Sequence, residues 1–239
     1  MKRHRPLYFR RLLMHLLIGA VVLCALPSCS DESDMENLPT SDCPAQGKLL
    51  AIGTLRLLTP TGYCFDLDEG HRLLPADTSS VRGYQPVEGQ RAIVIFTPLS
   101  ERPGEYSGFI HHIEEMLTLD ATLLSSQQAD TLGNDPISIS EAWIAAGHLN
   151  IRYQMLGDLQ KQHTHTLHAV LPLARQESGH SPLIELRHHA HGDTGSDLCS
   201  GVASFRLFPL SEWLSSHHTL RLVVKPLFNN AEQSYTLNW

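Results

Sequence analysis

The chain has 239 residues, with 18 Lys plus Arg against 25 Asp plus Glu and a formal net charge of −7 when histidine is neutral. An acidic chain of this kind repels nucleic acid, and its five cysteines form no C-x-x-C pair of the sort used in redox or zinc-thiolate sites. Neither a glycine-rich phosphate loop nor a Gly-x-Ser-x-Gly elbow is present, so the sequence is not expected to encode an enzyme and implies no cofactor.

Lys2, Arg3, Arg5, Arg10 and Arg11 precede an apolar run from Leu12 to Leu26, which at 15 residues is short for a membrane-spanning helix and suits a signal peptide over 1–28. The stretch Leu26-Pro27-Ser28-Cys29 resembles a bacterial lipoprotein signal, cut before Cys29, whose thiol then takes a diacylglyceryl anchor. Cys24 is the rival acceptor, but the bulky Leu23 precedes it, whereas the small Ser28 precedes Cys29. Each acyl methylene buried in the bilayer contributes about 0.8 kcal/mol, so several chains hold a protein effectively for good. The acidic run Ser30-Asp31-Glu32-Ser33-Asp34 resembles an export tag of Bacteroidota lipoproteins, which places the protein on the outer membrane facing outward; a periplasm-facing position is the alternative. Residues 29–45 are too poor in apolar side chains to fold and read as a lipidated, acidic, disordered stalk. Removing the signal leaves 13 basic residues against 25 acidic ones, a net charge of −12.

Strand signals dominate the chain beyond the stalk. Residues 46–120 contain apolar stretches at Lys48 to Leu58, Tyr63 to Leu67, His71 to Pro75, Gln90 to Thr97 and Ser107 to Leu119. Turn signals separate them, notably Asp68-Glu69-Gly70 and Pro86-Val87-Glu88-Gly89. The continuous run Ala92-Ile93-Val94-Ile95-Phe96 predicts a strand buried on both faces. Five strands without a long helix predict an OB-like barrel. The polar segment 121–135 reads as a linker. Within it, Asp130-Thr131-Leu132 resembles the O-glycosylation acceptor of exported Bacteroidota proteins, at Thr131. Over 136–239, period-2 alternation such as Ile151, Tyr153 and Met155 against Asn150, Arg152 and Gln154 predicts about seven antiparallel strands in a β-sandwich.

Thirteen histidines come after the signal, and several cluster: His111-His112, His163-x-His165-x-x-His168, His188-His189-x-His191 with Asp193, and His217-His218. Imidazole is the commonest metal ligand, and His163 with His165 on a strand would share a face. His188, His191 and Asp193 are the alternative metal set, and need the strand to end between the two histidines. Hydrogen-bonding and surface roles are the favoured expectation for all of them, so no metal site is favoured. Asp193 after Gly192 suits a turn held by its own side chain. A Cys199 dyad with His188 or His191 lacks any local signature. The acidic hairpin Asp66-x-Asp68-Glu69 lacks the spacing of a dedicated calcium loop. An oxidising compartment permits a Cys43–Cys64 disulfide, with Cys199 left over.

Several stretches resemble the NigD-like lipoproteins of Bacteroidota. Phe65-Asp66-Leu67-Asp68-Glu69-Gly70-His71-Arg72-Leu73-Leu74-Pro75 is similar to their "L-D-D-G-x-x-L-x-P" hairpin, and Tyr84 to Arg91 to the turn into their fourth strand. Ala142-Trp143-Ile144 to Ile151 resembles "W-I-x-x-x-x-L-N-I". Leu186-Arg187-His188-His189-Ala190-His191-Gly192-Asp193 resembles "L-R-H-N-A-H-G-D", with His189 in place of Asn; Leu119 stands where the family usually has Lys. The resemblance implies an N-terminal OB domain and a C-terminal β-sandwich, and a tie to bacteriocin immunity. The expected function is a non-enzymatic, cell-surface binding lipoprotein with an unknown protein or glycan partner and a membrane contact through Cys29. A glycan or small-ligand module is the alternative, with stacking surfaces from Tyr63, Phe65, Tyr84, Tyr106 and Phe109 on the barrel; metal binding through His188, His191 and Asp193 is another.

Overall fold

A computed structural model describes residues 47–59, 62–161, 163–177, 180–229 and 231–239. The predicted signal peptide, the Cys29 anchor, the acidic stalk and Cys43 lie outside the described residues. Among the described residues no helix is long and apolar enough to cross a membrane.

Five strands close into a barrel: β1 (Leu49–Leu57), β2 (Tyr63–Leu67), β3 (Arg72–Asp77), β4 (Arg91–Arg102) and β5 (Glu105–Glu115), in the order β1-β2-β3-β5-β4. All neighbours are antiparallel except β3 and β5. Leu55, Phe65, Leu73, Val94, Phe96 and Ile110 alternate inward and are wholly buried. Gly70 makes the tight turn between β2 and β3 with φ +91°, a conformation that a Cβ would disfavour. The run in β4 is buried on one face only. Ala92, Val94 and Phe96 enter the core, while Ile93 and Ile95 point outward and stay half-exposed, paired across β1 with Ile52 and Leu50. A continuous apolar run specifies a strand, but not that both of its faces find cover within the chain.

The barrel ends at Glu115, five residues before the predicted boundary, and the expected linker is structured. Buried Met116 leads into β6 (Leu117–Asp120), which runs parallel to β12 (Asp197–Arg206), and β7 (Thr122–Leu124) runs parallel to β10 (Thr166–Pro172). Ala121 between them is wholly buried, so the chain passes from one sheet to the other at that residue. The short helix α1 (Ser126–Asp130) comes next, its start closed by reciprocal bonds between Ser125 and Gln128. Strands this short carry no readable alternation; partners some 50 and 85 residues onward create them.

The remaining strands are β8 (Ser138–Ala145), β9 (His148–Gly157), β11 (Leu183–His189), β13 (Thr219–Val224) and β14 (Gln233–Asn238), with α2 (Ser211–Leu214) before β13. They form a five-stranded sheet, β14-β13-β11-β10-β7, and a four-stranded sheet, β6-β12-β9-β8. The inner faces meet over Leu149, Ile151, Met155, Leu171, Ile184, Phe205 and Leu222. The sandwich therefore has nine described strands, β6 and β7 being the two that alternation could not reveal. Asn150 and Ser204 sit on the other face of β9 and β12, where alternation predicts solvent, yet both are wholly buried. The barrel covers them.

Candidate functional site

The junction between barrel and sandwich is built around one arginine. Arg91, the first residue of β4, is fully buried and forks onto Asp68 in the β2–β3 turn, with Nη1 to Oδ1 and Nη2 to Oδ2 both at 2.6 Å. Nη1 also donates to Thr54 Oγ1 at 3.2 Å, and Nη2 to Asn150 Oδ1 at 3.2 Å across the junction. Ser204 donates to the same Asn150 oxygen at 2.8 Å. Gln90 beside it donates to the carbonyl of Met116, and Arg206 reaches back to the carbonyl of Gly89. A planar fork on a carboxylate fixes direction as well as distance, so this set locks the two modules in one orientation. Arg91 Nε and His148 Nε2 remain buried without a partner, and burial lowers the His148 pKa.

The second constellation is buried inside the sandwich. His165, just before β10, places Nε2 3.0 Å from Asp193 Oδ2 and Nδ1 2.9 Å from His188 Nε2. His188 Nδ1 faces the Pro136 carbonyl at 3.2 Å. Asp193 accepts further bonds from the Asp158 N–H (3.0 Å) and the Gly195 N–H (2.8 Å), the latter closing the predicted turn on its own side chain. Burial works against the Asp193 charge, yet the Asp158 and Gly195 N–H groups and His165 hold its carboxyl well below the usual range. Burial, then the neighbouring His165, push His188 down. The strand does end between His188 and His191, but the left-handed backbone at His191 (φ +49°) turns that ring outward to Thr166 Oγ1 at 3.1 Å and onto the face of His189. His188, His191 and Asp193 are therefore not brought together, and His188 has both ring nitrogens engaged. No group of three His, Cys, Asp or Glu suited to a metal occurs among the described residues. His163 and His165 precede the strand instead of sharing a face of it.

Other candidates are committed elsewhere. Asp66 pairs with Arg56 and Arg72, and Asp68 with Arg91, so the acidic hairpin has no free carboxylate pair. Cys64 and Cys199 are buried and form no disulfide among the described residues, and burial raises their pKa, the reverse of what activates a nucleophile. Thr131 is exposed at the end of α1 and donates its hydroxyl to the Gln128 carbonyl at 2.7 Å. Phe65 lies in the barrel core with Tyr63 against its edge, Tyr106 packs on Phe96 and His71, and Phe109 packs on His111. A cleft of about 340 Å³ on the five-stranded sheet holds Arg175, Glu185, Arg187, Lys225 and Glu232. Its charges close on one another: buried Glu185 takes Arg175 on one oxygen and Arg187 on the other, and Arg175 forks onto Glu232. A second cleft, about 410 Å³, lies between the β2–β3 and β4–β5 turns, lined by Asp66, Gly70, His71, Arg72, Gly104 and Glu105.

Arg91, Asn150 and Ser204 escaped sequence reasoning as a site. Their one signal is an arginine heading an apolar strand, with an aspartate in a turn 23 residues earlier. His165 was visible only as part of a histidine-rich stretch.

Residues 52–115 match the NigD-like N-terminal OB domain and residues 121–239 the NigD-like C-terminal beta sandwich domain. Among solved structures, a candidate toxin-related protein from Parabacteroides distasonis is 28% identical, with a TM-score of 0.66 over 81% of this chain and 93% of its own. A candidate lipoprotein from Bacteroides fragilis is 10% identical, with a TM-score of 0.62 over 81% of this chain and 98% of its own. A NigD-like immunity protein from Bacteroides caccae is 17% identical, with a TM-score of 0.60 over 78% of this chain and 91% of its own. The last two likenesses concern the fold alone. No curated protein matches the chain by sequence. Both halves of the described protein thus carry the two domains in family order, and the chain belongs to the NigD-like family.

Proposed function

We propose that the protein is a non-enzymatic lipoprotein of the outer membrane that binds a polypeptide partner at the cell surface, with bacteriocin immunity as the specific role. The observation that carries this reading is the outward apolar face of β1 and β4, half-buried at Ile52, Ile93 and Ile95 and exposed at Leu50 among the described residues. Leu50 opposite Ile95 and Ile52 opposite Ile93 form an apolar patch on the barrel wall, with Leu50 59% exposed. Phe109 extends the patch onto β5 opposite Thr97. Covering an exposed side chain such as Leu50 contributes at most roughly 1.5–3 kcal/mol, and the half-buried isoleucines contribute less. The net charge of −12 after signal removal favours a cationic partner. The B. caccae relative is described as an immunity protein, and the anchor at Cys29 supplies the location. The Arg91 fork and the His188–Pro136 contact are spent on partners within the protein, which suits a binding role better than a reaction.

A strain lacking the protein should become sensitive to the toxin, and the wild-type gene should restore resistance. Unchanged sensitivity would defeat the immunity role, and a Leu50→Glu protein that still protects would defeat the assigned face. Protease added to intact cells separates an outward-facing protein, which is cut, from a periplasm-facing one, which is spared. A second reading, glycan binding, is favoured by the polar cleft between the two barrel turns. Calorimetry against host and bacterial glycans tests it, and absence of heat removes it.

A further inference from the structure

The buried histidine pair poses a hydrogen-counting problem that neutral rings cannot solve. The three contacts run in series: Asp193 Oδ2 to His165 Nε2, His165 Nδ1 to His188 Nε2, and His188 Nδ1 to the Pro136 carbonyl. The ring centroids stand 5.1 Å apart with planes 13° from parallel, so with nitrogens 2.9 Å apart the rings meet edge to edge, as an N–H···N bond requires. Both ends of the series are acceptors: an ionised carboxylate and a backbone carbonyl. Each contact needs one hydrogen, and two neutral imidazoles supply only two. The third contact would then set two lone pairs against each other, where the side chains of His165 and Asp193 are 3% and 2% exposed. A buried contact of that kind is costly.

We propose that Asp193, His165 and His188 share three protons and form a net-neutral clasp inside the sandwich. His165 Nε2–H donates to Asp193, His165 Nδ1–H donates to His188 Nε2, and His188 Nδ1–H donates to Pro136. The positive ring thereby sits against the carboxylate that two backbone N–H groups keep ionised, and burial keeps His188 the neutral member. The clasp ties the lead into β8, the end of β11 and the entry to β10 to the turn before β12, and through the Asp158 N–H to the end of β9. It therefore joins both sheets at one end of the sandwich. Asp135 before β8 acts on His188, His163 before β10 acts on Asp193, and Asp193 acts in turn on Cys199 of β12.

Imidazole nitrogen–proton correlation spectra of the full chain at pH 7 test this directly. The expected result is two protonated nitrogens on His165 and one, Nδ1, on His188. Two neutral rings with one hydrogen each would overturn the proposal. Asp193→Asn supplies a second readout, since an amide can donate to His165 Nε2 and close the series with two ring protons. That variant should lose the third ring hydrogen and carry one hydrogen on each ring. A variant that keeps three ring hydrogens would overturn it equally, and the parent spectrum stands even if the variant fails to fold.

Discussion

Replacing Arg91 with alanine removes the residue that holds barrel and sandwich together, and its cost can be worked from the geometry. The wild-type side chain has no exposure, and its partner Asp68 is 15% exposed. Removal leaves a largely buried carboxylate without its counter-charge and leaves Asn150 without a donor from the barrel. Breaking one side of a buried pair typically costs about 3–5 kcal/mol, and the slight exposure of Asp68 argues for the lower end. For a folded unit of this size, about 3 kcal/mol corresponds to a fall in Tm of roughly 6–12 °C. Thermal and urea denaturation measure it, and limited proteolysis should open the chain near Met116. Arg91→Lys keeps the charge but not the fork and should fall between the alanine variant and the parent. Changing Arg91 to Met and Asp68 to Leu together should cost less than Arg91→Ala, because no charge is stranded. An alanine variant within about 1 kcal/mol of the parent, the level of an exposed pair, would refute the latch.

Other expectations are independent of the latch. A Cβ at Gly195 would collide with the Asp158 nitrogen and the Gly157 carbonyl carbon. Gly195→Ala should therefore cost at least the roughly 1–3 kcal/mol of ordinary overpacking, and unchanged urea midpoints would contradict this. Native protein should leave Cys64 and Cys199 unreacted toward a thiol reagent until denatured, since both are buried with raised pKa values; prompt labelling of either would count against their placement. Asp66, Asp193 and Glu232 have depressed pKa values, so their stabilisation is full above the ordinary carboxylate range and is lost progressively as pH falls below that range toward the depressed values. The urea midpoint should drop on acidification below about pH 4; a rise would contradict the sign.

The parts of the fold that local pattern controls were legible in the sequence. Alternation through Ile151, Tyr153 and Met155 marks β9 because those side chains line one core, and Asp68-Glu69-Gly70 marks a turn because Gly70 needs a left-handed backbone. Features that distant partners create were not. Four and three residues in β6 and β7 become strands only against β12 and β10. Ile93 and Ile95 read as buried because composition does not reveal whether a second layer exists to cover them. Parity could not place His191, since the strand stops at His189 and a left-handed residue redirects the chain. Arg91 and Asn150 lie 59 residues apart, and only the docking of two domains makes them neighbours.

The proposed action by position and binding, anchored at Cys29 and through the barrel face around Leu50 and Ile95, is tested by toxin survival of a strain lacking the gene, complemented in turn with the parent, Cys29→Ala and Leu50→Glu. Only the parent should restore survival, while purified Leu50→Glu protein should keep the parent's Tm. A deletion strain as resistant as its parent, or full protection by either variant, would contradict that action.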